Sequence, residues 1–191
     1  MTQPLMRAYT VQRELEFIDQ YFDEPDREQV KAKIPHDIQE ELGRLARVDW
    51  CPIEYSSAVL HAIASAKHDP KGSFRDIVEC GKFVSVEATN TFYKMLLKVV
   101  TPAIFFKKTQ TIWSKDFKDV GTWEVQMHEG GKSASLSLSG VGGMDHLAPV
   151  SEGFLTYVVE SMGYGQVSCE THGWSLENPG PESVRFEMHW S

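Results

Sequence analysis

Between Ser73 and Val99 the apolar residues recur at helical steps: Phe74, Ile77, Val78, Val84, Ala88, Phe92, Met95, Leu96 and Val99. Steps of three, four and seven put them on one face of a helix. Thr101-Pro102 stops that helix and opens another. Threonine can cap the new first turn, and a proline there gives up an N–H that has no intrahelical partner. Phe105, Phe106, Ile112, Trp113 and Phe117 give the second helix an aromatic stripe. Two core helices meeting at a proline are the frame on which the rest is expected to pack.

Upstream, Met1 to Arg7 has no pattern and is expected to fray. Val11, Leu15, Ile18 and Phe22 mark a helix from Ala8, with Arg13, Glu14, Glu16 and Asp19 on most of its other positions. Pro25 is expected to interrupt it, with Asp26 capping a short helix to Ile34. Pro35-His36-Asp37 opens a third helix, apolar at Ile38, Leu42 and Leu45. Asp49 to Pro52 reads as a junction. Ile53, Val59, Leu60 and Ile63 then mark a fourth helix, and Lys67 to Gly72 a polar loop.

Downstream the period changes to two. Trp123, Val125 and Met127 alternate with polar residues, as do Ala134, Leu136 and Leu138 across a Glu129-Gly130-Gly131-Lys132 turn. That is an antiparallel hairpin with one buried face. A helix follows from Ser151 to Met162, then strands at Val167–Thr171 and Val184–Met188. The pattern predicts an α+β fold: an N-terminal helical bundle on a roughly four-stranded antiparallel sheet, with one helix inserted between the strand pairs. At 191 residues a single domain is expected, with a helical cap over 8–48, core helices over 49–117 and the sheet with its helix over 118–190.

Composition narrows the function classes. A net charge of -8 disfavours nucleic-acid partners, because an acidic surface repels phosphate. Lys107, Lys108, Lys115 and Lys118 read as a solvated helix face opposite the aromatic stripe. No run approaches the roughly 20 apolar residues of a membrane span, so no membrane insertion is expected. The first residues lack an apolar segment behind a basic start, and Cys51, Cys80 and Cys169 are too few and too scattered for a disulfide framework. Both point to the cytoplasm.

The ordering resembles a paralogous family of myxobacterial proteins with no assigned enzymatic activity. That family is distantly related to the haem-nitric-oxide-binding fold and to the vinyl-reductase-type (4-vinyl reductase) sensor domains. The resemblance runs through Lys33-Ile34-Pro35-His36-Asp37, Asp49-Trp50-Cys51-Pro52 with Tyr55, Phe74-Arg75, Gly81-Lys82, Thr101-Pro102, Ile112-Trp113 and Val120-Gly121. It closes with Gly153-Phe154-Leu155, Gly163 and Arg185-Phe186-Glu187-Met188-His189-Trp190. It implies a small cytoplasmic domain that holds an apolar ligand, a haem or an acyl chain between helices and sheet, or one that mediates protein contacts. A shared fold does not by itself transfer a function.

The haem relatives imply a helix-borne proximal histidine and a Tyr-x-Ser-x-Arg clamp. Here Tyr55-Ser56-Ser57-Ala58-Val59 ends in Val59 where the arginine is needed, leaving His61 as a weak axial candidate. The sensor relatives imply a zinc site; Cys169-Glu170-Thr171-His172 offers Cys169 and His172, two ligands where a structural site takes four. No cofactor is therefore expected. A nucleophilic Cys80 with His61, or an Asp145-His146 acid–base pair, would make an enzyme, but neither shows an activating partner in the sequence. Gly140-Val141-Gly142-Gly143 lacks the Lys-Ser/Thr of a phosphate loop.

The expected function is a non-enzymatic regulatory or sensory module. Its apolar pocket would be walled by Phe92, Met95, Leu96, Phe105, Phe106, Trp113 and Phe117 and closed by Trp123 and Phe154. The alternative is a protein–protein adaptor with a packed interior and no ligand, acting on a protein partner or as a homodimer.

Overall fold

The computed structural model describes residues 3–66, 70–88, 97 and 99–191, with side chains in the long helix described as far as Val86. Strand β1 (Leu5–Arg7) is not frayed. It lies between β2 (Trp50–Pro52) and β3 (Phe117–Lys118) in a three-stranded antiparallel sheet. Met6 pairs with Cys51 on one side and Phe117 on the other, and is 1% exposed. The expected fraying is corrected for Leu5–Arg7, residues 1–2 lying outside the described residues, and so is the expected junction at Asp49–Pro52. Strands of two or three residues are too short to carry a period.

Helices α1 (Ala8–Tyr21), α2 (Glu24–Lys31) and α3 (His36–Arg44) form the cap. Asp23, rather than Asp26, caps α2: its carboxylate accepts from the Asp26 N–H at 3.2 Å. Pro25 then sits in the first turn, where it is tolerated. Helix α4 (Glu54–Ala64) follows, then α5, which runs Pro70–Ala88 and so takes in part of the expected polar loop. The expected continuation of the apolar face through Phe92, Met95 and Leu96 lies outside the described residues.

Thr101 does cap the next helix, α6 (Pro102–Phe106), accepting from the Ile104 N–H at 3.4 Å. The aromatic stripe, however, is not one helix. α6 ends at Phe106, α7 runs Thr109–Asp116, and Phe117 already belongs to β3. Between α6 and α7 the Thr109 hydroxyl donates to the Phe106 carbonyl at 2.9 Å, a local bond of the kind that competes with a continuous helix.

Strands β4 (Thr122–Met127), β5 (Ser133–Ser139), β6 (Ser168–His172) and β7 (Ser183–His189) form an antiparallel sheet in the order β4-β5-β7-β6. Helix α8 (Leu147–Ser161) lies between the two strand pairs in sequence. The register sets Trp123 opposite Leu138, Val125 opposite Leu136, and Leu136 opposite Phe186. A slip of one residue would turn that apolar set to solvent, so the alternation fixes the pairing. Leu136, Leu138, Phe186 and Met188 are fully buried, each worth roughly 1.5–3 kcal/mol in area removed from water.

Helices α5 and α8 cross at glycines. A Cβ on Gly81 would meet the Val150 carbonyl oxygen at 2.1 Å, and one on Gly153 the Val78 oxygen at 2.1 Å. The two backbones touch because neither residue has a side chain. Gly81 also lines the cavity beside this crossing.

Candidate functional site

A cavity of about 680 Å³ lies between α1, α5, α7 and α8. Val84 of α5, Phe105 of α6, Ile112 and Trp113 of α7, and Leu147, Val150, Phe154 and Val158 of α8 make its walls. Trp123 of β4 contributes from the sheet, and Leu97 and Val100 from the chain ahead of α6. Arg47, Val48 and Lys115, all exposed, mark its open end, with Arg7 beside them. The volume falls in the range of small-molecule sites.

The aromatic residues are locked by one another. Trp113 stacks on Phe117 at 3.7 Å between centroids and meets Trp123 edge-on at 5.5 Å. Its indole N–H donates to the Val120 carbonyl at 2.6 Å. Trp123 in turn lies 5.5 Å from Phe186. Of the residues expected to wall a pocket, Phe105, Trp113, Phe117, Trp123 and Phe154 are brought to this cavity. Phe106 is not: it is 1% exposed and packs on Phe105 and Trp190 instead. Phe92, Met95 and Leu96 lie outside the described residues.

The lining surface is mostly apolar, with polar side chains interspersed, among them Tyr9, Thr10, Glu14, Thr109, Asp116 and Ser151. The Tyr9 hydroxyl bonds the Asp116 carboxylate, and burial followed by that charge holds the phenol well above its usual range. Ser85 donates to the Gly81 carbonyl at 2.6 Å. Glu14 is 1% exposed and accepts from the Ser56 hydroxyl at 2.7 Å. Burial pushes its carboxyl up to about 8, against the pull of the Ser56 bond. Its other oxygen, Oε2, is buried with no hydrogen-bond partner. Glu14 was read with the charged positions of α1. Yet it lies three residues after Val11 and four before Ile18, which places it on the apolar stripe. That spacing was the available signal.

The other candidate residues sit elsewhere. Cys80 is fully buried, and burial raises its thiol well above the ordinary value, so it stays protonated. His146 is 1% exposed, in left-handed backbone at φ 63° ahead of α8. Burial, then the neighbouring His61, lowers it to about 4. Its Nε2 lies 3.5 Å from His61 Nδ1. Cys169 and His172 are three apart on β6 and point to opposite faces. Among the described residues no three His, Cys, Asp or Glu side chains gather as a metal site.

No family model and no curated protein matches the chain. Solved structures do. An Fe(II) unliganded H-NOX protein from K. algicida superposes with a TM-score of 0.70 at 9% identity, over 97% of each chain. An S. oneidensis H-NOX protein in the Fe(II)NO state gives 0.60 at 10% identity, over 97% of this chain and 99% of that one. A third match, a protein used to modulate haem redox potential through porphyrin distortion, gives 0.63 at 7% identity over 97% and 95%. The chain has an H-NOX-like α+β fold.

Whether these residues fit a haem is a question of ligands. Histidine and cysteine are absent from the described cavity lining, and residues 87–98 contain neither. His61 is exposed on α4 and is not part of the lining. Val59, in the place of the clamp arginine, is fully buried, and the Tyr55 hydroxyl donates to Glu41 at 2.5 Å. The described lining does not fit a haem held by an axial imidazole or thiolate.

Proposed function

We propose that this protein is a non-enzymatic regulatory or sensory module that binds a small apolar ligand, other than an imidazole- or thiolate-held haem, in the cavity between the core helices and the sheet. The observation that carries this reading is the cavity of about 680 Å³, walled by aliphatic and aromatic side chains and framed by the Gly81–Gly153 crossing. An interior whose only task was stability would pack those apolar walls against each other rather than leave them lining a space. The H-NOX-like fold supports the sensory part of the reading, and the buried, protonated Cys80 supports the absence of thiol chemistry. Relay of occupancy to a protein partner, or to a second copy of the chain, belongs to the same proposal, as does a cytoplasmic setting. Among the described residues no helix is long and apolar enough to cross a membrane.

The test is titration with an apolar fluorescent probe, followed by competition with apolar molecules of graded size. Saturable binding near one probe per chain, lost on unfolding, is the expected result. An adaptor with a packed interior would give no saturable binding.

A further inference from the structure

Two residues lining the cavity carry a buried polar atom without a partner: Glu14 through Oε2 and Trp123 through Nε1. The indole can only donate. The carboxyl is the more deeply buried, at 1% against 7% exposure, and is the one held in place by a second side chain. Ser56 of α4 fixes Oε1, which leaves Oε2 as the free half of the group. The Cys51 thiol of β2 and the Cys80 thiol of α5 lie in its electrostatic reach, each raised first by burial and then by Glu14. An unpaired buried oxygen of this kind is unfavourable until something bonds it. Other polar residues line the cavity too, Tyr9, Thr10, Asp116 and Ser151 among them, but Glu14 is the lining carboxyl with an unpartnered buried oxygen, a fixed point for one polar group of whatever enters.

We infer that Glu14 is the polar anchor of the cavity, and that the ligand is an apolar molecule with one protic head, a hydroxyl or a primary amine, bonded to Glu14 Oε2. This rests on the reading of the cavity as a ligand site and names the ligand's chemical class. Both heads share the needed chemistry. A hydroxyl can donate to or accept from the carboxyl, whichever form it takes, and an ammonium pairs with the carboxylate. The wall residues Val84, Val150 and Phe154 take the apolar body.

Three probes of one length test the inference: decan-1-ol, decylamine and 1-chlorodecane, each measured by displacement of the fluorescent probe. The intact protein is expected to bind at least one protic probe about tenfold tighter than the chloride, the value of one buried hydrogen bond. Whichever of the alcohol and the amine binds tighter identifies the head. Glu14→Leu is expected to bring the three within about twofold of each other. Glu14→Gln keeps the shape and the Ser56 partner, and is expected to weaken the amine far more than the alcohol. Equal binding of all three by the intact protein overturns the anchor and leaves the cavity reading standing. A tenfold protic preference that survives in the folded Glu14→Leu protein also overturns it. Failure of all three to bind overturns both.

Discussion

Gly153 of α8 rests directly on the Val78 carbonyl of α5: a Cβ there would meet that oxygen at 2.1 Å. Backbone, unlike the end of a flexible side chain, has no easy way to yield. Gly153→Ala should therefore push the helices apart and cost about 2–3 kcal/mol, as overpacking does. Gly43 on α3 is the control, because nothing lies within 4 Å of a Cβ built there. Gly43→Ala should be neutral or stabilising by about 0.5–1 kcal/mol. Urea unfolding of the two variants measures the difference.

Stability should depend on pH through two buried groups of opposite sense. Glu14 keeps its proton to about pH 8 in the folded protein, against a reference of 4.5. Its contribution is full below the lower value and is lost as pH rises through the upper one. His146, lowered to about 4 from 6.5, stays neutral in the folded protein, so its contribution is lost as pH falls through that window. Between pH 6.5 and 8 only Glu14 of this pair acts. Stability should fall there by up to about 2 kcal/mol, and Glu14→Gln should remove most of the slope. Urea midpoints at several pH values are the measurement.

Filling the cavity should separate binding from folding. Val84 is 8% exposed on α5 and faces the space. Val84→Phe should lower probe affinity at least tenfold while leaving the urea midpoint unchanged or raised, because the larger ring occupies existing volume. A fall in stability equal to the fall in binding would mean that the side chain has no room there.

Haem added to the protein should not acquire an imidazole-ligated spectrum. Among the described residues the lining has no histidine, and His61 lies outside it beside His146. Absorption spectroscopy of the reduced protein with equimolar haem measures this. His61→Ala should leave the spectrum unchanged.

Sequence pattern revealed the elements whose period is long enough to repeat. The β4–β5 hairpin and the β7 strand were legible because Trp123, Leu136, Leu138 and Phe186 alternate strictly with polar residues. The proline joint was legible because Thr101 and Pro102 are a cap and a first-turn residue by chemistry. The three-stranded sheet was not, since two or three residues such as Phe117–Lys118 show no alternation. Within the site, aromatic identity alone drew attention to both Phe105 and Phe106. Both lie in α6, where neighbouring side chains point about 100° apart, and the way that short helix packs sets Phe105 on the cavity and Phe106 on Trp190. Glu14 was missed because charge suggested solvent, while its place on the apolar stripe of α1 said otherwise.

Native mass spectrometry of freshly purified protein, followed by organic extraction, tests the central claim most directly. The account predicts a folded mass above that of the 191-residue chain, returning to it on denaturation, with one apolar molecule per chain in the extract. A folded mass equal to the bare chain, no extractable molecule and no saturable uptake of an added apolar probe would contradict it.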